Sequence, residues 1–320
     1  MIGKKLAQAL LERGYLTDRD GRQRQISQLV VFDMTAPEPP LAADERLEVV
    51  TGDLTDPAVS KALLTPDTDT VFHLAAVVSA GAERDFDLGM GVILFATLEL
   101  LEACRRLASP PRLVFASSVA VFGGDMPPVI QDSTALTPQT SYGSQKAIGE
   151  LLINDYSRKG FIDGRALRLP TIVVRPGKPN LAGSTFASSI IREPLQGQSA
   201  ICPVSPASKM WIQSPRQAVR SFIHAAELPA LAWGRSRAVA LPGLTVSIQE
   251  MVDSLTELAG PAVTARIRWQ PDPFIQSLVD GWPYALAPRR AEAMGFEADS
   301  SVAEIIQAFI EDDLAGRIVA

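Results

Sequence analysis

The chain is poor in the residues that most often announce a function. Its 320 residues include two cysteines, two histidines and four tyrosines. Cys104 and Cys202 stand far apart in sequence, so they offer neither a disulfide framework nor zinc-ligand spacing, and both read as small buried hydrophobes. No group of His, Cys and carboxylate residues is spaced as a ligand set, so no metal is expected. His73 ends an apolar run and reads as packed core, and His224 lies in a helical stretch with no motif around it. Basic runs are absent too, and the net charge of −6 argues against a nucleic-acid partner. The N-terminus carries no secretory signal pattern. The most apolar run, Leu88 to Leu98, is too short to span a bilayer and continues into Glu99 and Glu102. Together these absences predict a cytoplasmic protein with no membrane and no nucleic-acid partner.

What is present is a large apolar fraction, 47%, enough for a substantial core. Val30, Val31 and Phe32 form an apolar run ending at Asp33, which reads as a buried strand. Pro37, Pro39 and Pro40 then rule out regular structure just past it. Further strands are predicted at Leu47 to Val50, before Gly52-Asp53; at Val71 to Ala76; at Leu113 to Ala116, before Ser117-Ser118; and within Leu167 to Val174. Helices are predicted at Met1 to Leu11, Phe86 to Leu107 and Tyr142 to Tyr156. Continuously apolar strands alternating with helices imply a parallel sheet covered on both faces, the doubly wound α/β class. Such sheets bind ligands at the carboxyl ends of their strands. Asp33, Asp53, Ser79 and Ser118 all fall at those ends. After Arg175 the texture changes. Pro176, Gly177 and Pro179 mark a loop, short helices follow near 184–196 and 215–227, and strands are expected near Ala238 to Leu241 and Arg266 to Trp269. Ile248 to Leu258 and Val302 to Leu314 read as amphipathic helices.

The stretch that organises these candidates is Ser141-Tyr142-Gly143-Ser144-Gln145-Lys146. Tyr142 and Lys146 are four residues apart and share one helical face. A nearby ammonium favours the phenolate and lowers a tyrosine pKa from its ordinary value of about 10. Tyr142 is then a general base near neutral pH. An ordinary helix with a surface lysine and a half-buried tyrosine has the same spacing, so the pair does not decide alone.

Four motifs accompany it: Gly52-Asp53-Leu54, His73-Leu74-Ala75-Ala76, Phe115-Ala116-Ser117-Ser118-Val119-Ala120-Val121-Phe122-Gly123, and Tyr142-Gly143-Ser144-Gln145-Lys146. In this order and spacing they resemble the extended short-chain dehydrogenases/reductases, the NAD-dependent epimerase/dehydratase group, over about the first 180 residues. The resemblance implies a Rossmann-like fold, an NAD-binding domain over residues 1–175, and a smaller, mainly substrate-binding lobe over 176–320 with segments that can cross back. It implies NAD as cofactor, with Tyr142 as base and with Lys146 holding it ionised and bonding the nicotinamide ribose. Ser118 would bond the substrate oxygen. Asp33 would accept from the adenosine ribose and favour NAD over NADP, since no Arg or Lys lies between Asp33 and Asp44. Gly3, Asp53, Leu54 and Ala75 would line the cofactor, although Asp53 could equally cap a helix starting at Thr55.

The later motifs are Leu167 to Asn180, Ile191 to Leu195, Ser214-Pro215-Arg216 and Asp280 to Pro283. They resemble the sugar-acid dehydrogenases of this group and imply oxidation of D-erythronate to 2-dehydro-D-erythronate. The substrate carboxylate needs cations, for which Arg192 and Arg216 stand first and Lys178 next; Asn180 and Ser79 would meet hydroxyls. Each could equally be a solvated surface group. A homodimer joined through the long helix and the Tyr142 helix is also implied. The competing readings are a sugar-nucleotide epimerase or dehydratase of the same fold, and a catalytically inactive NAD-binding protein.

Two departures from the family pattern stand out. The family has an Asn in the long helix where this chain reads Val92-Ile93-Leu94, so Ile93 would remove an amide from the water and lysine network. A Rossmann fold also opens with a strand and a glycine-rich loop whose amides hold a pyrophosphate. Only Gly3 matches that loop, so Met1 reads as one of its internal residues. The expectation is a start upstream of Met1 or a truncated gene, with weak NAD binding by the form as written.

Overall fold

The structure, a computed structural model, describes residues 1–177 and 183–319. Its centre is the strand Arg112–Ser118, of which all but Ser118 is buried. Side chains of a strand alternate between two faces. Leu113 and Phe115 enter a core with Leu101, Ile153 and Ile162. Val114 and Ala116 enter another with Leu6, Leu10 and Phe222. The helices Ala96–Arg105 and Ser141–Arg158 close the first core, and Ile2–Arg13 and Pro215–Glu227 the second. This is the α/β, Rossmann-like arrangement that the sequence pattern predicts.

The central strand runs parallel to Thr70–His73 on one side and to Asp163–Leu169 on the other, with Ala238–Ala240 beyond. Ser118 lies opposite Leu169 in this register. A second parallel ladder joins Leu29–Asp33 to Leu47–Thr51. Among the described residues, no ladder connects it to Thr70–His73. The expectation of a buried strand at Val30 to Phe32 is corrected accordingly. Val30 stays 37% exposed, and Val49, the register partner of Val31, 42%.

The expected strand Leu167 to Val174 is two strands. Pro170 has no N–H to give a ladder. Past it, Thr171–Ile172 leaves the main sheet and pairs with Lys209–Gln213, itself antiparallel to Leu244–Ser247. Beneath this small sheet lies a separate core of Val173, Ile190, Ile212, Met251, Ile305 and Phe309. The helices Thr185–Leu195, Ile248–Ala259 and Val302–Leu314 supply most of it. The predicted long helix is one continuous run whose middle, Met90–Phe95, widens to π geometry between Phe86–Gly89 and Ala96–Arg105. Sequence periodicity missed the hairpin Tyr15–Thr17/Gln23–Gln25 and the helix Pro273–Asp280. Among the described residues, no helix is long and apolar enough to cross a membrane.

Candidate active site

Ser118 ends the central strand and opens the turn Val119–Val121, its Oγ accepting from the Ala120 N–H at 3.1 Å. The helix that carries Tyr142 begins at Ser141 because Thr140 caps it, Oγ1 accepting from the Gly143 N–H at 3.1 Å. Helix and turn are pressed together at Gly143, where a Cβ would lie 2.2 Å from the Ala120 carbonyl oxygen. Only glycine fits that approach. It sets the Tyr142 phenol against Ser118.

Burial pushes the Tyr142 phenol above its ordinary pKa, and a hydrogen bond with the Ser118 side chain opposes that rise. One turn on, Lys146 is buried and its Nζ donates to the Ala116 carbonyl at 2.7 Å. The ammonium sits 4.6 Å from the Phe115 ring centroid and 5.7 Å from that of Tyr142. Burial pushes Lys146 down to about 7, against the pull of the Glu150 charge. The expectation that Lys146 lowers the Tyr142 pKa is corrected here. Desolvation dominates both groups, and the ammonium bonds a carbonyl rather than the phenol. Ser118, Tyr142 and Lys146 nevertheless converge on one spot, the carboxyl end of the central strand.

Behind them, His73 is core, as the sequence suggests. Its Nε2 shares a 2.8 Å hydrogen bond with Thr97 Oγ1, and its ring lies against Phe115. Burial, helped by the Lys146 charge, pushes its pKa down to about 3, so it is neutral. Ile93 is buried in the π segment, and its carbonyl accepts from Thr97 Oγ1 at 2.6 Å. His224 bonds the Met294 carbonyl oxygen at 2.8 Å and has no part in the site. Among the described residues, no cluster of His, Cys, Asp and Glu can hold a metal.

The nucleotide candidates flank the second ladder. Asp33 ends its strand with the carboxylate exposed, one oxygen accepting from the Met34 N–H at 2.7 Å. Its charge reaches the start of the helix Ile2–Arg13, raising the Met1 ammonium pKa against the larger lowering by burial. Met1 stands at the cap position of that helix and makes no side-chain bond to its first N–H groups. Gly3 stands in its first turn with open space around the Cβ position. Asp53 turns back on Thr55, accepting from its N–H at 2.9 Å and its hydroxyl at 2.8 Å. The expectation that Asp53 caps a helix starting at Thr55 is corrected: the helix is Pro57–Leu63 and its cap is Asp56, while Asp53 closes the turn before it. Leu54 is buried beside it, and Ala75 is exposed just past Thr70–His73. Ser79 starts the short helix Ser79–Arg84, which Glu83 ties to the Tyr142 helix by accepting from the Ser141 N–H at 2.9 Å.

The ranking of the substrate cations changes. Arg216 is held by the carboxylates of Asp312 and Glu311 at 2.5 and 2.8 Å, which raise its pKa further. Arg192 is buried and already neutralised by Glu193 at 2.7 Å, with a second bond to the Arg175 carbonyl at 2.6 Å. Asn180 and Lys178 lie outside the described residues. Sequence motifs alone passed over Arg175. Its guanidinium reaches the Ser184 hydroxyl at 3.2 Å, and no carboxylate pairs with it among the described residues. Burial and the Arg192 charge both lower its pKa. Arg175 follows Thr171–Ile172, on the chain leaving the register partner of Ser118. Its position inside a family-like motif was the available signal.

Comparison with known proteins agrees with this geometry. Residues 1–233 match the NAD dependent epimerase/dehydratase family. The chain belongs to this family. It is 53% identical to a D-erythronate dehydrogenase of Cupriavidus necator over 97% of this chain and 95% of that protein. It is 44% identical to a D-erythronate dehydrogenase of Haemophilus influenzae, over 98% and 96%. A solved nucleoside-diphosphate-sugar epimerase of Agrobacterium tumefaciens superposes with a TM-score of 0.92 at 42% identity, covering 99% of this chain and 92% of that one. Within the NAD dependent epimerase/dehydratase family, then, this chain is similar both to dehydrogenases and to a protein described as an epimerase.

Proposed function

We propose that the chain oxidises D-erythronate to 2-dehydro-D-erythronate with NAD, in the cytoplasm and as a homodimer. The observation that carries the chemistry is the convergence of Ser118, Tyr142 and Lys146 at the end of the central strand, Ser118 bonded to Tyr142 and Lys146 one helical turn on. The choice of sugar acid over sugar nucleotide is supported by the two dehydrogenase relatives and by Arg175, with which no carboxylate pairs among the described residues. The residues fit the cofactor. The first turn of Ile2–Arg13 presents N–H groups that suit a pyrophosphate, and Asp33 beside it suits ribose hydroxyls while repelling a 2′-phosphate. When bound, NAD supplies the hydride acceptor. Tyr142 Oη takes the proton of the reacting hydroxyl. The Ser118 hydroxyl bonds the same oxygen as it becomes a carbonyl. Lys146, as ammonium, stabilises negative charge on the Tyr142 oxygen. The dimer is supported by Phe95, Ile148 and Leu151, which are 54%, 40% and 67% exposed on the long helix and the Tyr142 helix.

The test is NADH formation across a panel of four-carbon sugar acids, run beside sugar-nucleotide epimerisation. D-erythronate should turn over with NAD. Epimerisation of a nucleotide sugar without NADH release would overturn the proposal. In the same assay, Arg175→Met should raise the KM for the acid about 10- to 100-fold, the worth of a hydrogen bond to a charged group. The KM for NAD should not move, and Arg216→Ala should change neither.

A further inference from the structure

Tyr142, Lys146 and Glu150 follow one another at four-residue intervals along one face of the same helix. Oxidation of the sugar acid uses the first two. Glu150 is 4% exposed, and a buried carboxylate is costly unless it is bonded and paired. It is both. Ser117 Oγ donates to Oε1 at 2.5 Å. Arg168 grips both oxygens, Nε at 3.0 and 3.1 Å and Nη2 at 2.7 Å. The anchoring follows the central strand in step. Ala116 accepts from Lys146, Ser117 donates to Glu150, and Ser118 meets Tyr142.

Resting on the reading of Tyr142 and Lys146 as the reacting pair, we propose that Glu150, clamped by Arg168, is a positioning residue that keeps the proton on Lys146. The other elements packed against this helix leave few rivals for the role. From Thr70–His73 comes His73, which is neutral. The central strand brings the hydroxyls of Ser117 and Ser118, and Asp163–Leu169 brings Arg168. The turn Val119–Val121 and the π segment Met90–Phe95 contain no titratable group. Glu83 of Ser79–Arg84 meets the first turn at Ser141, Asp85 caps Phe86–Gly89 and Asp87 lies within it. Glu102 of Ala96–Arg105 bonds Tyr156, far along the helix. Glu150 is the charge that opposes the desolvation of Lys146.

The pair makes a signed prediction. Removing the Glu150 charge leaves Arg168 as a lone, part-buried cation, and both changes drive the proton off Lys146. Removing the Arg168 charge leaves Glu150 less compensated, which holds that proton harder. The experiment is a 13Cε-lysine NMR titration of the full chain, with Lys146 assigned by its loss in Lys146→Met. Glu150→Gln should lower the Lys146 midpoint by about one unit. Glu150→Asp should restore it, and Arg168→Gln should move it upward. A purely structural role would lower kcat with D-erythronate and NAD in these variants and leave the midpoint in place, which would overturn the proposal. If Glu150→Gln does not fold, Arg168→Gln decides, and a midpoint that falls or stays overturns it. The titration needs no substrate, so a parent that ignores D-erythronate would sink the functional reading alone.

Discussion

In the ladder that carries Ser118, the central strand is buried from Arg112 to Ser117 and its neighbours flank it on both edges. In the ladder that carries Asp33, one strand pairs with one other, and Val30 and Val49 remain in solvent. The difference matches what each end must do. Moving a proton needs groups held in a desolvated frame, where fields are strong and a misplaced atom is costly. Recognising ribose hydroxyls needs a carboxylate that stays open to its partner. The first frame is set by contacts on every side; the second is set by a strand end and a helix start.

The largest expected effect lies in the buried frame. Tyr142→Phe should cut kcat about 10²- to 10⁴-fold, with NAD affinity nearly unchanged; turnover within threefold of the parent would remove the phenol from the reaction. Next comes the desolvation of Lys146. Its folded pKa of about 7 lies below the ordinary 10.5. Between those values the unfolded chain binds the extra proton, so the parent gains stability as pH rises through the window. Lys146→Met removes that dependence. Against the parent, it should look more stable at pH 6 than at pH 10 by a few kcal/mol, at about 1.4 kcal/mol per unit. Urea unfolding at the two pH values checks it, and parallel curves would place Lys146 in water. The smallest effect belongs to the open frame. Asp33→Asn should narrow the preference for NAD over NADP by roughly tenfold, an expectation from losing one charge against a phosphate at an exposed site, without changing the melting temperature. A large loss of stability there would erase the contrast between the two ladders.

Much of the buried frame was legible because period and motif agree there. The apolar run at Leu113 to Ala116, the Tyr142–Lys146 spacing and the strand-end serine all point to one place. The features that sequence does not disclose are set by three-dimensional balance. Arg192 and Arg216 look alike in sequence, yet Arg192 turns onto its own neighbour Glu193, and Arg216 meets Asp312, which the fold brings in from the last helix. Arg175 has no such partner among the described residues, and nothing in its local sequence says so. The sign of the Tyr142 shift is hidden too, because residue spacing reports proximity but not desolvation. Val30 misleads for the same kind of reason: an apolar run does not tell how many neighbours its strand will have.

The widened turn at Met90–Phe95 bears on how the gene can change length. An α-helix advances about 100° per residue. Losing one residue within Ala96–Arg105 would therefore swing the rest of that helix off its face, taking Leu101 and Cys104 out of the core they share with Phe115. A π turn holds a residue more than an α turn needs. Losing one residue there would draw the helix back to α spacing and leave the faces before and after it where they are. The long helix therefore has a built-in site for a single-codon deletion, one turn ahead of the hydroxyl that His73 leans on.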